Sequence, residues 1–348
     1  MRTFDYSFLK SGLLPAGFIN ITNAISELKV LERQRKQNHV DIFTSLERIA
    51  KVQSVKGSNA IEGIVTSDER INAIVNQDSA PLNHNEAEIA GYRDALRLVH
   101  NEYAQLDLRQ RDILYLHELM LSYAPVNGGI YKQTDNAIIE IDPSGIRHLR
   151  FSPTPASEVA ETMEQLELAY REARNDSQIN QLLLIPCFVL DFLCIHPFSD
   201  GNGRMSRLLS LLLLYKNGLD AGRYISFEEQ INVSKSSYYA ALKASSVGWH
   251  EGENSYSPFI ESFITTLLRC YKELDKRFAI VQSRKVTKKQ RIEATVTNSV
   301  LPISKKEIAA LLPDVSPTTI EAVLGAMVKA GQIKKVGSSR NTKYIKRA

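Results

Sequence analysis

The chain has few cysteines, and its sequence shows no pattern typical of a signal peptide or of a membrane-spanning helix. Its 348 residues include three cysteines, Cys187, Cys194 and Cys270, without a Cys-x-x-Cys pair. This excludes a disulfide-stapled fold and indicates a reducing compartment. No basic-then-apolar pattern opens the sequence, so no signal peptide is predicted. The longest apolar run, residues 182–195, is too short for a membrane span and is typical of a buried core helix. A cytoplasmic protein with no membrane partner is therefore expected.

Composition and charge predict a folded chain with a basic C-terminal end. Hydrophobic residues make up 43% and charged residues 24% of the sequence, which excludes a fully disordered chain, and the length predicts two or three domains. Residues 284–348 carry 14 Lys and Arg against 4 Asp and Glu, a net charge of +10, whereas the first 283 residues carry 29 against 35, a net charge of −6. This asymmetry indicates an anionic partner for the C-terminal end, nucleic acid being the usual one.

Hydrophobic periodicity predicts that most of the chain is α-helical. Residues 86–106 and 156–173 place apolar side chains at i, i+3 and i+4, the spacing of one helix face. Residues 136–151 break this pattern, because two β-prone runs flank the turn sequence Asp-Pro-Ser-Gly at 142–145. The sequence therefore predicts one β-hairpin within an α-helical domain.

The end of the chain predicts a winged helix-turn-helix behind a basic linker at residues 284–291. Ser304 with Glu307 forms a capping box, and Ser316 before Pro317 suits a second helix start. Two short strands and a basic turn follow, and helices followed by a basic hairpin are typical of this fold. The second helix carries little positive charge, so phosphate contact with DNA and docking of a protein are both left open.

The segment richest in site-type residues is the turn at residues 195–207, between two apolar runs. Gly201 and Gly203 allow backbone N–H groups to approach a ligand, and at a helix N-terminus such groups form an anion site. Arg204 and Arg207 lie three residues apart on the first turn of the following helix. Two guanidinium groups together with these N–H groups suit a polyphosphate.

Two further side chains of this turn point to catalysis. Asp200 is a hard oxygen ligand beside the predicted phosphate site, as Mg²⁺ prefers, and His196 is suited to act as a general base near pH 7. A capped turn with surface arginines is the competing interpretation. Seven residues of site type within twelve positions are not explained by packing, and the sequence contains no other phosphate-loop or nucleophile motif.

Residues 196–207, HPFSDGNGRMSR, resemble the Fic family signature His-Pro-Phe-x-Asp/Glu-Gly-Asn-Gly-Arg-x-x-Arg at every defined position. The similarity covers roughly residues 85–270. It implies an all-α fold, in which a helical Fic core with a β-hairpin flap follows an N-terminal helical region and precedes a small α+β winged helix-turn-helix domain. The N-terminal region, core, linker and winged domain are predicted at residues 1–85, 86–275, 276–300 and 301–348.

The resemblance implies a protein adenylyltransferase that transfers AMP from ATP to a Ser, Thr or Tyr hydroxyl of a target protein or of itself. By position in the motif, His196 would deprotonate the target hydroxyl, and Asp200 would hold Mg²⁺ between the α- and β-phosphates. Arg204 would bind the β-phosphate and Arg207 the γ-phosphate, while Phe198 anchors the turn in the core. The full nucleotide site implied by the family consists of a phosphate cradle and a tyrosine pair: Gly201, Asn202, Gly203, Arg204, Arg207, Tyr238 and Tyr239.

Two other segments are similar to the family in position. Tyr238 and Tyr239 stand where a tyrosine pair borders the adenine pocket. Because adjacent helix residues face different ways, one is expected to stack on the base while the other packs, and packing of both in the core is the alternative. Ile138, Ile139 and Ile141 of the predicted hairpin would bind an extended target segment by strand addition. The alternative is a hairpin that only covers the core.

Residues 58–63, Ser-Asn-Ala-Ile-Glu-Gly, are similar to the family's inhibitory motif Ser/Thr-x-x-x-Glu-Gly/Asn. Ser58 and Glu62 share one helix face. The resemblance implies that Glu62 pairs with Arg207 and takes the place of the γ-phosphate, with an inhibitory helix at about residues 50–63. The alternative is an ordinary helix end capped by Gly63.

Three functions are compatible with these observations. The favoured one is an adenylyltransferase restrained by Glu62. The second is a DNA-binding regulator whose Fic core senses nucleotide. The third is a Fic enzyme that removes AMP, since in some relatives the same glutamate orients a water, or that transfers another phosphate-linked group. The implied partners are ATP, a target protein and a second copy of the chain, because family members often dimerise.

Overall fold

The computed structural model describes residues 2–10, 15–141, 144–282, 287–297, 299, 302–312, 314–337 and 342–347. Within them, fourteen α-helices enclose a continuous hydrophobic core and five short strands form two small sheets. The helices are α1 (Ala16–Asn38), α2 (Val40–Ile61), α3 (Asp68–Gln77), α4 (His84–Glu102), α5 (Gln110–Met120), α6 (Val159–Asn175), α7 (Gln181–Ile195), α8 (Asn202–Lys216), α9 (Phe227–Val233), α10 (Lys235–Ser246), α11 (Ser257–Gln282), α12 (Lys288–Thr297), α13 (Lys305–Leu311) and α14 (Pro317–Lys329). The strands are β1 (Ile138–Ile141), β2 (Arg147–Phe151), β3 (Ile303–Ser304), β4 (Ile333–Val336) and β5 (Lys343–Lys346).

The predicted all-α fold with a small β-hairpin is confirmed. No helix in the described part of the chain combines the length and the apolar character that crossing a membrane requires. The helical core and the hairpin together hold the turn at residues 195–207 in place.

Helices α7 and α8 pack against each other and hold the turn between them. All of α7 except its first residue is buried, as its apolar sequence predicts. Asn180 opens α7 by accepting the N–H of Leu182, and the helix ends at His196, which adopts a left-handed conformation with φ 53°. Helix α8 begins at Asn202, because Gly201 at φ 80° reverses the chain just ahead of it.

The predicted β-hairpin is present as strands β1 and β2. They pair antiparallel, with Ile139 opposite Leu149 and a bulge between Ile138 and Ile139. Ile139 is exposed and Ile138 is half-buried, whereas the side chain of Ile141 and the turn residues 142–143 lie outside the described part. One face of the hairpin, with Ile139 and Leu149, therefore presents apolar side chains to solvent.

Helix α2 packs against α4 and α9, and its C-terminal end reaches the first turn of α8. After Ile61, the N–H groups of Gly63 and Ile64 donate to carbonyl groups of the last turn over 3.1 and 3.0 Å, which is a Schellman motif with Gly63 at φ 80°. Lys235 of α10 donates to the carbonyl of Ile61 over 2.6 Å. This position favours a cation, because the C-terminal end of a helix carries partial negative charge. Glu62 therefore leaves the helix at a fixed position.

The end of the chain contains the helices and strands predicted there. The capping box of Ser304 and Glu307 opens α13, and Ser316 with Pro317 opens α14. Strands β4 and β5 follow, and the additional strand β3 completes an antiparallel sheet in the order β3-β5-β4. The basic turn residues 338–341 lie outside the described part.

The stretch predicted as a linker, residues 276–300, is largely helical where the structure describes it. Helix α11 continues to Gln282, residues 283–286 lie outside the described part, and α12 follows. Arg291 of α12 donates two hydrogen bonds of 2.6 and 2.7 Å to Asp314. Helix α12 is rich in Lys, Gln, Arg, Glu and Ala, which favour a helix by intrinsic propensity, and the ion pair with Asp314 fixes this short helix against its neighbours.

Candidate active site

His196 lies within the turn, with its ring held in one tautomer. Nδ1 lies 3.3 Å from the carbonyl oxygen of Leu193, and because a carbonyl can only accept, Nδ1 carries the proton and Nε2 carries the lone pair. Burial lowers the pKa of His196 to about 4, although the carboxylates of Glu62 and Asp200 act in the opposite direction. The imidazole is therefore neutral at pH 7 and presents Nε2 as a base.

Asn202 closes the turn on itself. Its Oδ1 accepts the N–H of Phe198 over 3.0 Å, and its Nδ2 donates to the carbonyl of Phe198 over 2.8 Å. Both residues are buried, and Phe198 anchors the turn as expected. Both ends of the Asn202 amide thus make hydrogen bonds within the turn, and the expected contact of Asn202 with phosphate oxygens stays a prediction.

A second histidine, His117 on α5, supports the same turn. Its ring stacks on Phe198, with the ring centroids 3.6 Å apart and the planes 10° from parallel. Nδ1 accepts the N–H of Gly129 over 3.0 Å, so Nε2 carries the proton and donates to the carbonyl of Asp200 over 3.1 Å. Burial lowers the pKa of His117 to about 4, which keeps the ring neutral. His117 was not predictable from the sequence, because no local pattern marks a contact made 83 residues away.

Lys132 joins the base of the hairpin to the turn. Its backbone N–H donates to the carbonyl of Pro197 over 2.9 Å, and its Nζ donates to Oδ1 of Asn136 over 2.7 Å. Asn136 in turn donates to the carbonyl of Phe198 over 3.2 Å. Burial of the side chain lowers the pKa of Lys132 to about 8. The hairpin and the turn are therefore fixed relative to each other.

The N-terminus of α8 opens beside two carboxylates. The side chain of Asp200 is 62% exposed, and its Oδ1 accepts the N–H of Gly201 over 2.6 Å. A Cβ at Gly203 would collide with Oε1 of Glu62, so glycine is required for a carboxylate to lie this close to the helix. Because helix N-termini favour anions, this position suits a carboxylate or a phosphate group.

Arg204 is buried and paired with an acid that the sequence analysis missed. Its Nη1 contacts Oε2 of Glu88 on α4, and its Nη2 lies 3.4 Å from Oδ2 of Asp200. The Arg204 guanidinium is therefore held between a buried and an exposed carboxylate at the edge of the α8 N-terminus. Glu88 was missed because α4 carries several acids and no sequence spacing links one of them to Arg204.

Arg207 is held by α2. Its Nε donates to Oγ of Ser58 over 2.8 Å, and its Nη2 donates to the carbonyl of Ser58 over 2.9 Å and to Oε1 of Glu62 over 2.8 Å. The contact expected between Glu62 and Arg207 is thus present, and the Gly63 cap expected as the alternative is present with it. The guanidinium that would hold a γ-phosphate is occupied by a carboxylate.

Tyr238 and Tyr239 on α10 face different surroundings, as adjacent helix residues must. Tyr238 is buried and packs on Phe259, with ring centroids 5.6 Å apart. Tyr239 is half-buried, and burial raises its pKa. Tyr239 is therefore the more accessible member of the pair.

The donor set at this site fits one kind of metal. The described residues hold no group of three or more His, Cys, Asp or Glu side chains that could bind a metal ion. Asp200 offers one exposed carboxylate beside the α8 N-terminus. Mg²⁺ usually keeps several waters and takes one or two carboxylates together with substrate phosphates. The site therefore fits Mg²⁺ brought with a polyphosphate.

Sequence comparisons match the turn and its surroundings. Residues 107–214 match the profile of the Fic/DOC family. The chain is 28% identical over 180 residues to a protein adenylyltransferase Fic of Nematostella vectensis, and 30% identical over 170 residues to one of Drosophila grimshawi. These alignments cover 49% and 47% of this chain but 38% and 31% of the relatives. The chain thus spans about a third of the length of the curated relatives it matches.

Solved structures share the fold. A Fic family protein from Desulfovibrio desulfuricans superposes with a TM-score of 0.63 at 21% identity, covering 97% of this chain and 98% of the other. Fic-1 from C. elegans gives a TM-score of 0.55 at 20% identity, covering 75% and 72%. The chain contains a Fic domain over residues 107–214, and the relatives and solved structures named above are Fic proteins by name.

Proposed function

We propose that this chain transfers AMP from ATP to a hydroxyl group of a protein, with His196 as the general base and Glu62 as an internal restraint. The proposal depends on one arrangement: a neutral imidazole, an exposed carboxylate and two buried guanidinium groups surround the N-terminus of α8. The relatives named adenylyltransferases support the same reaction class.

His196 would take the proton of the attacking hydroxyl at Nε2. The hydroxyl oxygen forms a bond to Pα of ATP, the bond from Pα to the oxygen bridging to Pβ breaks, and pyrophosphate leaves. Nδ1–H stays bonded to the carbonyl of Leu193, which orients the ring and stabilises the imidazolium that forms. The remaining requirements are positioning and neutralisation of charge.

The triphosphate would lie across the N-terminus of α8. Backbone N–H groups of the first turn and the helix dipole favour an anion there, and Gly203 leaves the space for it. Arg204 and Arg207 would bind the β- and γ-phosphates, and Tyr239 would border the adenine. Asp200 would hold Mg²⁺, which when bound neutralises phosphate charge.

Glu62 would restrain transfer by occupying the place of the γ-phosphate. Its carboxylate lies over Gly203 and accepts from Nη2 of Arg207. A nucleotide can place its γ-phosphate on Arg207 only after this carboxylate leaves. Any nucleotide bound before then lacks one of its two guanidinium contacts and takes a non-productive position.

The test compares the full chain as wild type, Glu62→Gly and Glu62→Gly/His196→Ala, each incubated with [α-³²P]ATP and Mg²⁺. Loss of a charge-assisted hydrogen bond is worth about 1.5–3 kcal/mol, so Glu62→Gly should raise self-labelling by roughly tenfold or more. Adding His196→Ala should abolish the label, and mass spectrometry of the labelled chain should find added AMP.

Two controls separate the alternatives. Glu69→Gly on α3 removes an exposed glutamate close to Glu62 in sequence, and it should leave labelling at the wild-type level. A parallel reaction with [γ-³²P]ATP should give no label, since pyrophosphate leaves. If only [γ-³²P]ATP labels the chain, the reaction is phosphorylation and not AMP transfer. If neither nucleotide labels Glu62→Gly, the proposed function is wrong.

A further inference from the structure

A buried carboxylate lies behind helix α2, outside the site described above. Glu228 of α9 is 0% exposed. Its Oε2 accepts from Oγ of Ser54 over 2.7 Å and from Oγ of Ser226 over 3.2 Å, and its Oε1 accepts from the hydroxyl of Tyr92 over 3.0 Å. The carboxylate thereby connects three helices, because Ser54 belongs to α2 and Tyr92 to α4.

Burial raises the pKa of Glu228, and hydrogen bonds from Ser54, from its own backbone N–H, from Tyr92 and from Ser226 oppose that rise. Among the residues that the structure describes, Glu228 forms no ion pair, and its three side-chain donors are all neutral and buried. A buried carboxylate that loses one of its donors incurs a desolvation penalty. Ser54 is therefore held firmly, because its hydroxyl cannot leave Glu228 without that penalty.

Ser54 lies on the face of α2 that also holds Arg207. Ser54, Ser58 and Glu62 occupy positions i, i+4 and i+8 of one helix face. Ser54 contacts the buried carboxyl group of Glu228, whereas Ser58 and Glu62 contact the buried guanidinium of Arg207. Two successive turns of α2 are thus attached to buried polar groups in the core, and Glu62 extends from the second of them.

The packing between α2 and α9 leaves little freedom for α2. A Cβ at Gly57 would lie 3.0 Å from both Cα and N of Glu229, so the two backbones are in close contact one turn from Ser54. Tyr92 of α4 brings the same cluster towards Arg207, since the Arg207 guanidinium opposes the rise that burial causes in the pKa of Tyr92. The cluster around Glu228 therefore lies within electrostatic reach of Arg207.

We propose that Glu228 is a positioning residue for the restraint: through Ser54 and Tyr92 it holds α2 in the place where Glu62 reaches Arg207. This inference rests on the proposed function, because it assigns Glu228 a part in the control of AMP transfer. Glu228 touches neither the nucleotide site nor the reacting atoms, and it acts only through the position of α2.

The decisive variant is Ser54→Ala, which removes the α2 side of the contact and favours the helix by propensity. Loss of one buried hydrogen bond of about 1 kcal/mol should raise self-labelling from [α-³²P]ATP roughly fivefold over wild type. In the Glu62→Gly background the same change should add nothing, since the restraint is already absent. Ser45→Ala is the matched control, because Ser45 lies nine residues earlier on the opposite face of α2.

Glu228→Gln gives an independent second variant. The carboxylate accepts at both oxygens, whereas the amide nitrogen can only donate, so the hydroxyl group that faces it must turn from donor to acceptor and the contact is weakened. Labelling should rise as in Ser54→Ala. Amide hydrogen exchange should become faster over residues 52–61 in both variants and stay unchanged in α7, a local effect that general destabilisation would not produce.

The outcomes separate this inference from the proposed function. If Glu62→Gly labels itself strongly but Ser54→Ala labels itself only to the wild-type level, the inference about Glu228 is wrong and the proposed function stands. An equal rise from Ser54→Ala with and without Glu62 would also overturn it, because the effect would not pass through Glu62. Inactive Glu62→Gly would remove the proposed function itself. If Glu228→Gln does not fold, Ser54→Ala decides.

Discussion

Arg207 donates from Nη2 to Oε1 of Glu62 over 2.8 Å, although 145 positions separate the two residues in the chain. The side chain of Arg207 is 2% exposed and that of Glu62 is 32% exposed. The pair is therefore fixed on its cationic side and open to solvent on its anionic side, which limits its strength. A phosphate that replaced Glu62 would exchange one anion for another, so the buried guanidinium would keep a partner.

Glu62→Gln is expected to release AMP transfer only in part. The amide oxygen can still accept from Arg207, but a neutral hydrogen bond is roughly half as strong as a charge-assisted one. Self-labelling should therefore lie between that of wild type and that of Glu62→Gly in the [α-³²P]ATP assay. Labelling equal to that of wild type would show that the negative charge of Glu62 is not needed for the restraint.

Glu88→Gln is expected to destabilise the fold and to reduce transfer. The change removes the buried carboxylate that faces Arg204 and leaves a buried guanidinium with one exposed partner, which costs on the order of 3 kcal/mol. Urea unfolding measures the loss, and labelling in the Glu62→Gly background should fall because Arg204 is no longer held. Glu102→Gln, at the exposed end of α4, should change neither quantity. A Glu88→Gln chain as stable as wild type would contradict this account of Arg204.

His117→Phe is expected to weaken transfer while keeping the packing of the turn. Phenylalanine retains the stack on Phe198 but loses the hydrogen bonds to Gly129 and Asp200, worth about 1 kcal/mol each. In the Glu62→Gly background, labelling should fall several-fold, and the free energy of unfolding should drop by about 2 kcal/mol. Transfer unchanged by this substitution would mean that His117 does not position the turn.

The rate of transfer should not fall near pH 6.5, where an unperturbed histidine becomes protonated. Burial lowers the pKa of His196 to about 4, so the base is unprotonated at every pH well above 4. The carboxylate of Glu62 raises the pKa of His196, so this pKa should fall further in Glu62→Gly. The rate of self-labelling by Glu62→Gly at saturating ATP should stay level from pH 7.5 to pH 5.5. A half-loss of rate near pH 6.5 would contradict the buried, neutral His196.

Local properties of the chain were predictable from the sequence. The helix periodicity, the capping box of Ser304 with Glu307, and the hairpin at residues 136–151 all depend on neighbours within a few positions, and each appears in the structure. The turn at residues 195–207 was predictable for the same reason, because its proline and glycines exclude a continuous helix. The chemistry expected of this turn was inferred from the similarity of residues 196–207 to the Fic family signature.

Contacts between distant segments were decided by tertiary packing alone. Glu88 meets Arg204 across 116 positions and Ser54 meets Glu228 across 174, and no spacing in the sequence predicts either pair. The orientation of the Asn202 side chain was not predictable either. Its amide is buried and makes two hydrogen bonds to the backbone of Phe198, because buried polar groups need hydrogen-bond partners. The sequence by itself therefore determined the helices, their caps and the turn at residues 195–207, which are set by local geometry. Only the tertiary structure decided which buried charges face each other, because burial and pairing depend on how the helices pack.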